Sequence, residues 1–599
     1  MGGRILAGAL AAMLLTAGSS AEAKCNLTQV GVLPVHMDGL SPLVDAKVNG
    51  RPTRLVADSG AFFSTLSGAD AEKFDLKALP ERRIYVEGVS GWLAGRIQTA
   101  REFSVLGQTF RNIDFVAAPE DFGRSVSGLL GQNFLNVTDT EYDLSNGIIR
   151  FFHADDCKDG MLAYWDKGGP YSMIPVRKIS GEKREILGQV SVNGVKITAL
   201  FDTGTAYSVL SMRGAKRIGI EKSDPRLKPG GVSSGIGRRL NQTWIAPVDS
   251  FRIGDEEIRQ TGLRVSEIDL TNADMLIGAD FFLSHHIFVA NSQQRLYLTY
   301  NGGPVFKLEV IPDGGPADGK AAPAAAPTVI GIAAGQSAQD PKDADGFMRR
   351  AEAFAARRDY ARSLADFDRA LALAPKDTRI LVARSQVHAT QKQTRLALAD
   401  LDEALKQTPA DVDMLLSRGG LHLQEKQLEL AKADFDKAKF RDPAATALIA
   451  ASYAEEQYYP EALAEYDARL KAARTTSEKS AALQDKCWVR AEWNHELDKA
   501  LADCDAGYRL MGYPRSTGLA RGLLELRRGH YADAIRELNH VIASQPKLAF
   551  AIYLRGVAKI RDGKAEDGGA DIKAATAIDP DVAERPTKLG LTPKPTAAP

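Results

Sequence analysis

Neither sign of charge dominates this 599-residue chain, in which 76 lysines and arginines face 76 aspartates and glutamates. Such a balance recommends neither nucleic acid nor an anionic membrane as a partner. Past the N-terminus no stretch approaches the length of continuous apolar residues that a membrane helix needs, so no membrane insertion is expected there. Cys-x-x-Cys pairs and spaced histidine clusters are also missing. His285 and His286 are adjacent instead of sharing one helix face, and they are expected on strand surfaces. Neither a metal nor another cofactor is expected. Cysteine itself is scarce: Cys25, Cys157, Cys487 and Cys504 allow two disulfides in three pairings if the chain is exported. Spacing favours local pairs, and a Cys25–Cys157 bridge would close a loop worth roughly 4 to 5 kcal/mol.

The N-terminus supplies a reason to expect export. Arg4 precedes the apolar run Ile5 to Leu15, and Ala21-Glu22-Ala23 follows as a small-residue cleavage pattern. Residues 1–23 therefore read as a secretory signal peptide. The apolar core is too short to span a bilayer. Lys24 stands where lipidation of Cys25 would require a small residue, so Cys25 reads as a disulfide partner. Asn-x-Thr triplets at Asn26, Asn136 and Asn241 matter only in a eukaryotic secretory route.

Two stretches say the same thing 144 residues apart: Leu55-Val-Ala-Asp58-Ser59-Gly60-Ala61 and Ala199-Leu-Phe-Asp202-Thr203-Gly204-Thr205. Val48-Asn49-Gly50 precedes the first at the interval by which Val192-Asn193-Gly194 precedes the second, and Leu66-Ser67 and Leu210-Ser211 follow in register. The register holds without a gap, so this is an internal duplication. One acid per copy points to a shared site, because two carboxyls within hydrogen-bonding reach share a proton. The ionised member can take a proton from water while the protonated one polarises a carbonyl, which is amide hydrolysis without a covalent intermediate. The Ser59 and Thr203 hydroxyls can hold neighbouring backbone, and Gly60 and Gly204 are expected to permit the tight turn presenting each carboxylate.

With these motifs the chain resembles the pepsin/retropepsin family of aspartic proteases. Each lobe of that family carries two apolar residues and a glycine, matched here by Leu129-Leu130-Gly131 and Leu276-Ile277-Gly278, with Phe134 and Phe281 following. The resemblance covers roughly residues 28 to 300 and is closer to two fused retroviral-type protomers than to a full-sized pepsin. It implies catalytic roles for Asp58 and Asp202, support from Ser59, Gly60, Thr203 and Gly204, and a flap in each lobe. Flap candidates are the stretch Tyr85 to Trp92, with Tyr85, Gly88 and Trp92 facing substrate, and the stretch Gly230 to Gly237, with Gly235. Ser59 keeps the hydroxyl of the commoner threonine without its methyl. Short apolar runs broken by Asn-Gly and Gly-Asp turns make both lobes all-β, lobe 1 over 24–160 and lobe 2 over 161–306.

Beyond them a Pro/Ala/Gly-rich tract, residues 307–344, reads as a linker. From residue 345 the period becomes helical with a repeat of 34: Pro375, Pro409 and Pro443 are evenly spaced, as are Pro546 and Pro580. The phrase Ala365-Asp-Phe-Asp368 recurs as Ala399 to Asp402 and Ala433 to Asp436, then in weaker forms around Tyr466, Cys504, Leu538 and Ile572. These units resemble tetratricopeptide repeats, about seven over 345–585, an all-α solenoid in which no unit can bury its apolar face alone. Residues 586–599 form a tail. Arg418-Gly419, Arg521-Gly522 and Arg555-Gly556 fall where that family packs a small residue between helices. Cys504 takes the core-facing position of its unit with Cys487 on the partner helix, a bridge worth roughly 3 kcal/mol. Trp488 and Trp493 read as core or shape-setting residues.

Protease-like lobes joined to such repeats suit a bacterial periplasmic protein. The favoured function is an exported aspartic endopeptidase whose repeats bring a protein substrate or partner to the cleft. The alternative is a non-catalytic scaffold that binds extended peptides without cutting them.

Overall fold

A computed structural model describes residues 25–119, 122–123, 126–158, 160–166, 171–177, 185–233, 235, 241–306, 328–330, 340–511, 515–545, 548–579 and 581–593. The expected signal peptide and most of the expected linker lie outside these residues.

The duplication begins at two Asn-Gly turns. Asn49 and Gly50 have φ of 50° and 80°, and Asn193 and Gly194 have 49° and 79°, the left-handed pair that an Asn-Gly hairpin adopts at least cost. Each reverses the chain, Ser41–Val48 onto Arg51–Ala57 and Leu187–Val192 onto Val195–Phe201. The returning strand buries alternate residues, Leu55 and Ala57 in one copy and Ile197, Ala199 and Phe201 in the other. It then runs parallel to a three-residue strand, Gly128–Leu130 or Met275–Ile277, which carries the apolar-apolar-Gly signature. A Cβ on Gly131 would lie 2.7 Å from the Phe63 carbonyl carbon, and one on Gly278 2.6 Å from that of Tyr207. Glycine is what lets this strand cross so close beneath the loop after each acid.

Each lobe is built on an eight-stranded sheet. Lobe 1 extends from the edge strand His36–Asp38 to the hairpin Lys77–Gly88/Gly91–Val105, and lobe 2 from Lys228–Ser233 across to Glu256–Ser266. A six-stranded sheet takes three strands from each lobe, with Asp139–Asp143 pairing antiparallel with His285–Ala290 at the seam. That seam corrects the expectation for His285 and His286, which are buried. His285 stacks on Phe281 with centroids 3.8 Å apart and bonds Glu256 at 2.9 Å, while His286 stacks on Trp165 at 4.0 Å and bonds Glu141 at 2.8 Å. The two central strands, Asp139–Asp143 and His285–Ala290, are buried on both faces, so alternation offers no exposed side there. Cys25 is bonded to Cys157 and Cys487 to Cys504, the two local pairings.

Within the stretch read as linker, Thr328–Ile330 pairs antiparallel with Glu256–Ser266 at the edge of lobe 2. Seven antiparallel helix pairs follow among the described residues, from Ala344–Ala356/Tyr360–Leu373 to Ala549–Arg561/Ala565–Ile578. Phe367, Leu401 and Phe435 fill their interiors. A Cβ on Gly419 would stand 2.4 Å from the Phe435 ring, which is the close helix approach its position implied. The tail reading at 586–599 is corrected at its start: helix Glu584–Lys588 crosses that boundary, and Pro586 and Leu591 are buried against the array. The first repeat helix docks on lobe 1. Glu352 accepts from His36 Nδ1 at 3.0 Å and from Met37 N–H at 3.3 Å, Arg357 donates to Gly302 O, and Ala353 lies in the core that holds Val35, Met37 and Leu144.

Candidate functional site

Asp58 follows strand Arg51–Ala57 and Asp202 follows strand Val195–Phe201. The signature strand fixes each acid through its amide: Asp58 N–H donates to Leu130 O at 2.9 Å and Asp202 N–H to Ile277 O at 2.8 Å. The next loop orients the carboxyl. Asp58 Oδ1 accepts from the N–H groups of Gly60 at 2.9 Å and Ala61 at 2.8 Å. Asp202 Oδ1 accepts from Gly204 N–H at 2.9 Å, and its Oδ2 accepts from the Thr205 hydroxyl at 2.7 Å. Ala61 has no hydroxyl, so the two copies differ at this point.

Ser59 and Thr203 clasp the lobes together. Ser59 N–H donates to Thr203 Oγ1 at 3.0 Å, and Thr203 N–H to Ser59 Oγ at 2.9 Å. Each hydroxyl then donates to a carbonyl of the other lobe, Ser59 Oγ to Phe201 O at 2.9 Å and Thr203 Oγ1 to Ala57 O at 2.6 Å. Serine makes the same bonds as threonine, so the missing methyl leaves this network whole.

The clasp sets each carboxyl against the glycine that follows the other acid, so that the Asp58 and Asp202 side chains are neighbours. Burial pushes Asp58 well above the usual carboxylate range. The Asp202 charge and the bond between the carboxyls push it further, against the pull of two backbone N–H donors. The same contact revises the role of the glycines. Neither Gly60 nor Gly204 has a left-handed φ. A Cβ on Gly60 would lie 2.3 Å from Asp202 Cγ, and one on Gly204 2.3 Å from Asp58 Cγ. Glycine is required because the opposite carboxyl occupies the space a side chain would fill.

The flap candidates sit above. Tyr85, Gly88 and Trp92 lie on the hairpin Lys77–Gly88/Gly91–Val105, and with Gly235 they line the cleft that holds the carboxyls. Tyr85 and Trp92 are 65% and 62% exposed, so neither is packed against the acids. Ile236 and Gly237 lie outside the described residues. The structure adds a contact that has no signature in the sequence: Asn241 Nδ2 donates to Val89 O at 3.0 Å and to Ser90 Oγ at 3.2 Å, and Gly235 N–H donates to Ser90 Oγ at 3.0 Å. The two flaps are thus tied at their tips, and Asn241, legible only as an Asn-x-Thr triplet, is the latch. Arg264 was also missed. It lines the cleft with its guanidinium 4.2 Å over the Tyr207 ring, and it pairs with Val209 as Val116 pairs with Thr65 in lobe 1. One wall of the cleft is therefore cationic where its counterpart is aliphatic.

The family described as aspartyl protease matches residues 44–134 and 188–281, one segment in each lobe. The tetratricopeptide repeat family matches residues 323–378 and 382–446. The chain is a pair of aspartyl-protease-like lobes followed by a tetratricopeptide array. No curated protein matches it. Among solved structures, a tetratricopeptide repeat protein from Parabacteroides merdae is 17% identical, covering 42% of this chain and 100% of its own, with a TM-score of 0.33. An aspartic proteinase from Irpex lacteus is 15% identical over 45% of this chain and 97% of its own, with a TM-score of 0.31. Basic 7S globulin from soybean is 13% identical over 46% and 94%, with a TM-score of 0.25.

Proposed function

We propose that the chain is an exported aspartic endopeptidase with Asp58 and Asp202 as its catalytic pair. The observation that carries this reading is the closeness of two buried carboxyls, one from each lobe, each with its Cγ 2.3 Å from where a Cβ on the other lobe's Gly60 or Gly204 would lie, at the floor of a cleft under two flaps. One carboxyl of the pair holds the shared proton and donates it to the substrate carbonyl oxygen, while its ionised partner takes a proton from the attacking water. The carbon–oxygen bond forms as the carbonyl oxygen gains the shared proton and the second carboxyl takes a proton from the water, giving a neutral diol. The C–N bond breaks as the amine takes that second proton and one diol hydroxyl returns its proton to the ionised carboxyl, which restores the pair, so no covalent enzyme intermediate forms. Ser59, Thr203, Gly60 and Gly204 are positioning residues that keep the carboxyls in contact. Tyr85, Gly88, Trp92 and Gly235 cover the substrate. The two disulfides fit an oxidising compartment, which together with the N-terminal pattern favours the bacterial periplasm.

The test is cleavage of a reduced, alkylated protein from acidic to neutral pH by wild type, Asp58→Asn and Asp202→Asn. Cleavage is expected in wild type, falling as pH rises through the raised Asp58 value because the shared proton is then lost. Each variant is expected to lose at least about a thousandfold, the order seen when the members of a catalytic unit are removed singly. Variants that cut as fast as wild type would end the peptidase reading.

A further inference from the structure

The cleft has a wall that belongs to the repeats. The cavity above Asp58 and Asp202 measures about 1650 Å³, and it is bounded on the far side by the array, by Tyr459, Tyr466, Trp488 and Phe550 among others. That exceeds the roughly 300 to 1,000 Å³ of small-molecule pockets and suits a polymer chain. The wall is held at two places: helix Ala344–Ala356 docks on lobe 1, and helix Ala565–Ile578 lies against Lys228–Ser233, the flap strand of lobe 2. A segment lying across the acids therefore runs beneath the array as it leaves the flaps.

The chemistry of that wall is aromatic and acidic. Trp488 and Phe550 are half-buried, with Arg585 stacked against both at 5.1 and 5.3 Å and paired with Glu492. The chain's own guanidinium shows what those two rings and the carboxylate accept. Around them the array presents the exposed carboxylates Glu455, Asp581 and Glu584 to the cavity, with Lys588 as the exposed cation beside Arg585 among the described repeat residues that line it. Aromatic faces give sequence-tolerant contact to an extended chain, and a rim on which carboxylates outnumber cations favours the opposite charge.

We propose that this face of the array is an exosite for the substrate itself: it binds the stretch of an unfolded, lysine- and arginine-bearing polypeptide that flanks the scissile bond. The proposal rests on the peptidase reading and assigns the repeats a place in the same site.

The test uses the full chain and two probes, a fluorescently labelled, reduced and alkylated basic protein such as lysozyme, and a short peptide from the same sequence that spans only the cleft. The rim variant Glu455→Gln/Asp581→Asn/Glu584→Gln changes exposed side chains, so it is expected to fold. In an Asp202→Asn background its Kd for the long probe, read by anisotropy at low salt, is expected to rise about tenfold, with a weaker salt dependence. In the active chain its KM for the long probe rises with kcat unchanged, and the short peptide is cut as by wild type. Trp488→Ala, checked for native circular dichroism, is expected to act in the same direction. A rim variant that binds and cuts the long probe as wild type does, while wild type is active, overturns the exosite and leaves the peptidase reading standing. A chain that cuts neither probe yet binds the long one in a rim-dependent way sinks the peptidase reading and overturns the exosite as part of a cutting site, leaving the rim as a binding face for basic polypeptide. Equal losses on both probes also overturn it, because the effect would then lie at the cleft.

Discussion

Asp280 of lobe 2 stands where lobe 1 has Asn133, and the two do the same bonding. Asn133 Oδ1 accepts from Ser64 N–H and Oγ at 2.9 Å each, and Asp280 Oδ1 from Ser208 N–H at 2.8 Å and Oγ at 2.7 Å. The difference is charge. Burial pushes the Asp280 carboxyl up to about 6 in spite of its donors and the nearby Arg264 cation. A carboxyl whose folded value exceeds its unfolded one favours the folded state below the unfolded value, and that contribution is lost as pH rises through about 6. Asp280→Asn keeps the acceptor oxygen and removes the ionisation. It is expected to stabilise the chain by about 3 kcal/mol at pH ~8, the order implied by a two-unit displacement, and to leave it nearly unchanged at pH ~4. Thermal melts at the two pH values check this, and equal shifts at both would remove the electrostatic explanation. Only a comparison of the two lobes reveals this asymmetry. The sequence shows both residues but not that they share one position, since each is defined by bonds to a serine about 70 residues away.

At the scale of the helix pair, the recurring Ala-Asp-Phe-Asp phrase separates into three tasks. Its aromatic or aliphatic residue fills the unit's core, as Phe435 does. Its first Asp accepts from Nε and Nη2 of an arginine 16 residues earlier in the same unit: Arg350 to Asp366, Arg384 to Asp400, Arg418 to Asp434 and Arg555 to Asp571. The second Asp reaches an arginine 16 residues later in the next unit, Asp368 to Arg384 and Asp402 to Arg418. Arg384 and Arg418 each tie their own pair of helices and join it to the preceding one. Arg418→Met is expected to cost about 3 kcal/mol, because Asp434 is buried and would lose both guanidinium bonds, keeping only the His422 ring at 3.9 Å among the described residues. Arg418→Met/Asp434→Leu should recover most of it, and a denaturant-unfolding cycle measures both. A double variant no better than the single would assign the loss to packing. The repeat length and the twin Asp-(Ser/Thr)-Gly were legible because both are local and periodic. The ladder's partners, the latch between Asn241 and Ser90, and the burial of His285 and His286 depend on which distant strands and helices meet, and no local pattern encodes that. The glycines after the acids were recognised for a reason that differs from the one the structure gives, since a turn and a close approach select the same residue.

For the whole molecule, the question left by a Pro/Ala/Gly-rich connection is whether the array swings or stays. The contacts argue for staying. Thr328–Ile330 adds a strand to lobe 2, Ala353 enters the core of the protease-like half, and Glu352 and Arg357 bond across the junction to His36, Met37 and Gly302. Burial pulls the Arg357 guanidinium below its usual range, so its bond to the Gly302 carbonyl offsets a desolvation cost that a solvent-exposed arginine would not meet. Removing both side chains tests the junction. Glu352→Ala/Arg357→Ala leaves the His36 ring and the Met37 and Gly302 backbone groups to water, which they reach only if the first repeat helix lifts away. The variant is expected to show a larger radius of gyration by small-angle scattering, with unchanged helix and strand content by circular dichroism, because each half keeps its own core. An unchanged radius would mean that the apolar contacts of Ala353 and the added strand hold the array without these polar bonds. A larger radius accompanied by lost secondary structure would instead mean that the first repeat folds on lobe 1 and has no stable form apart from it.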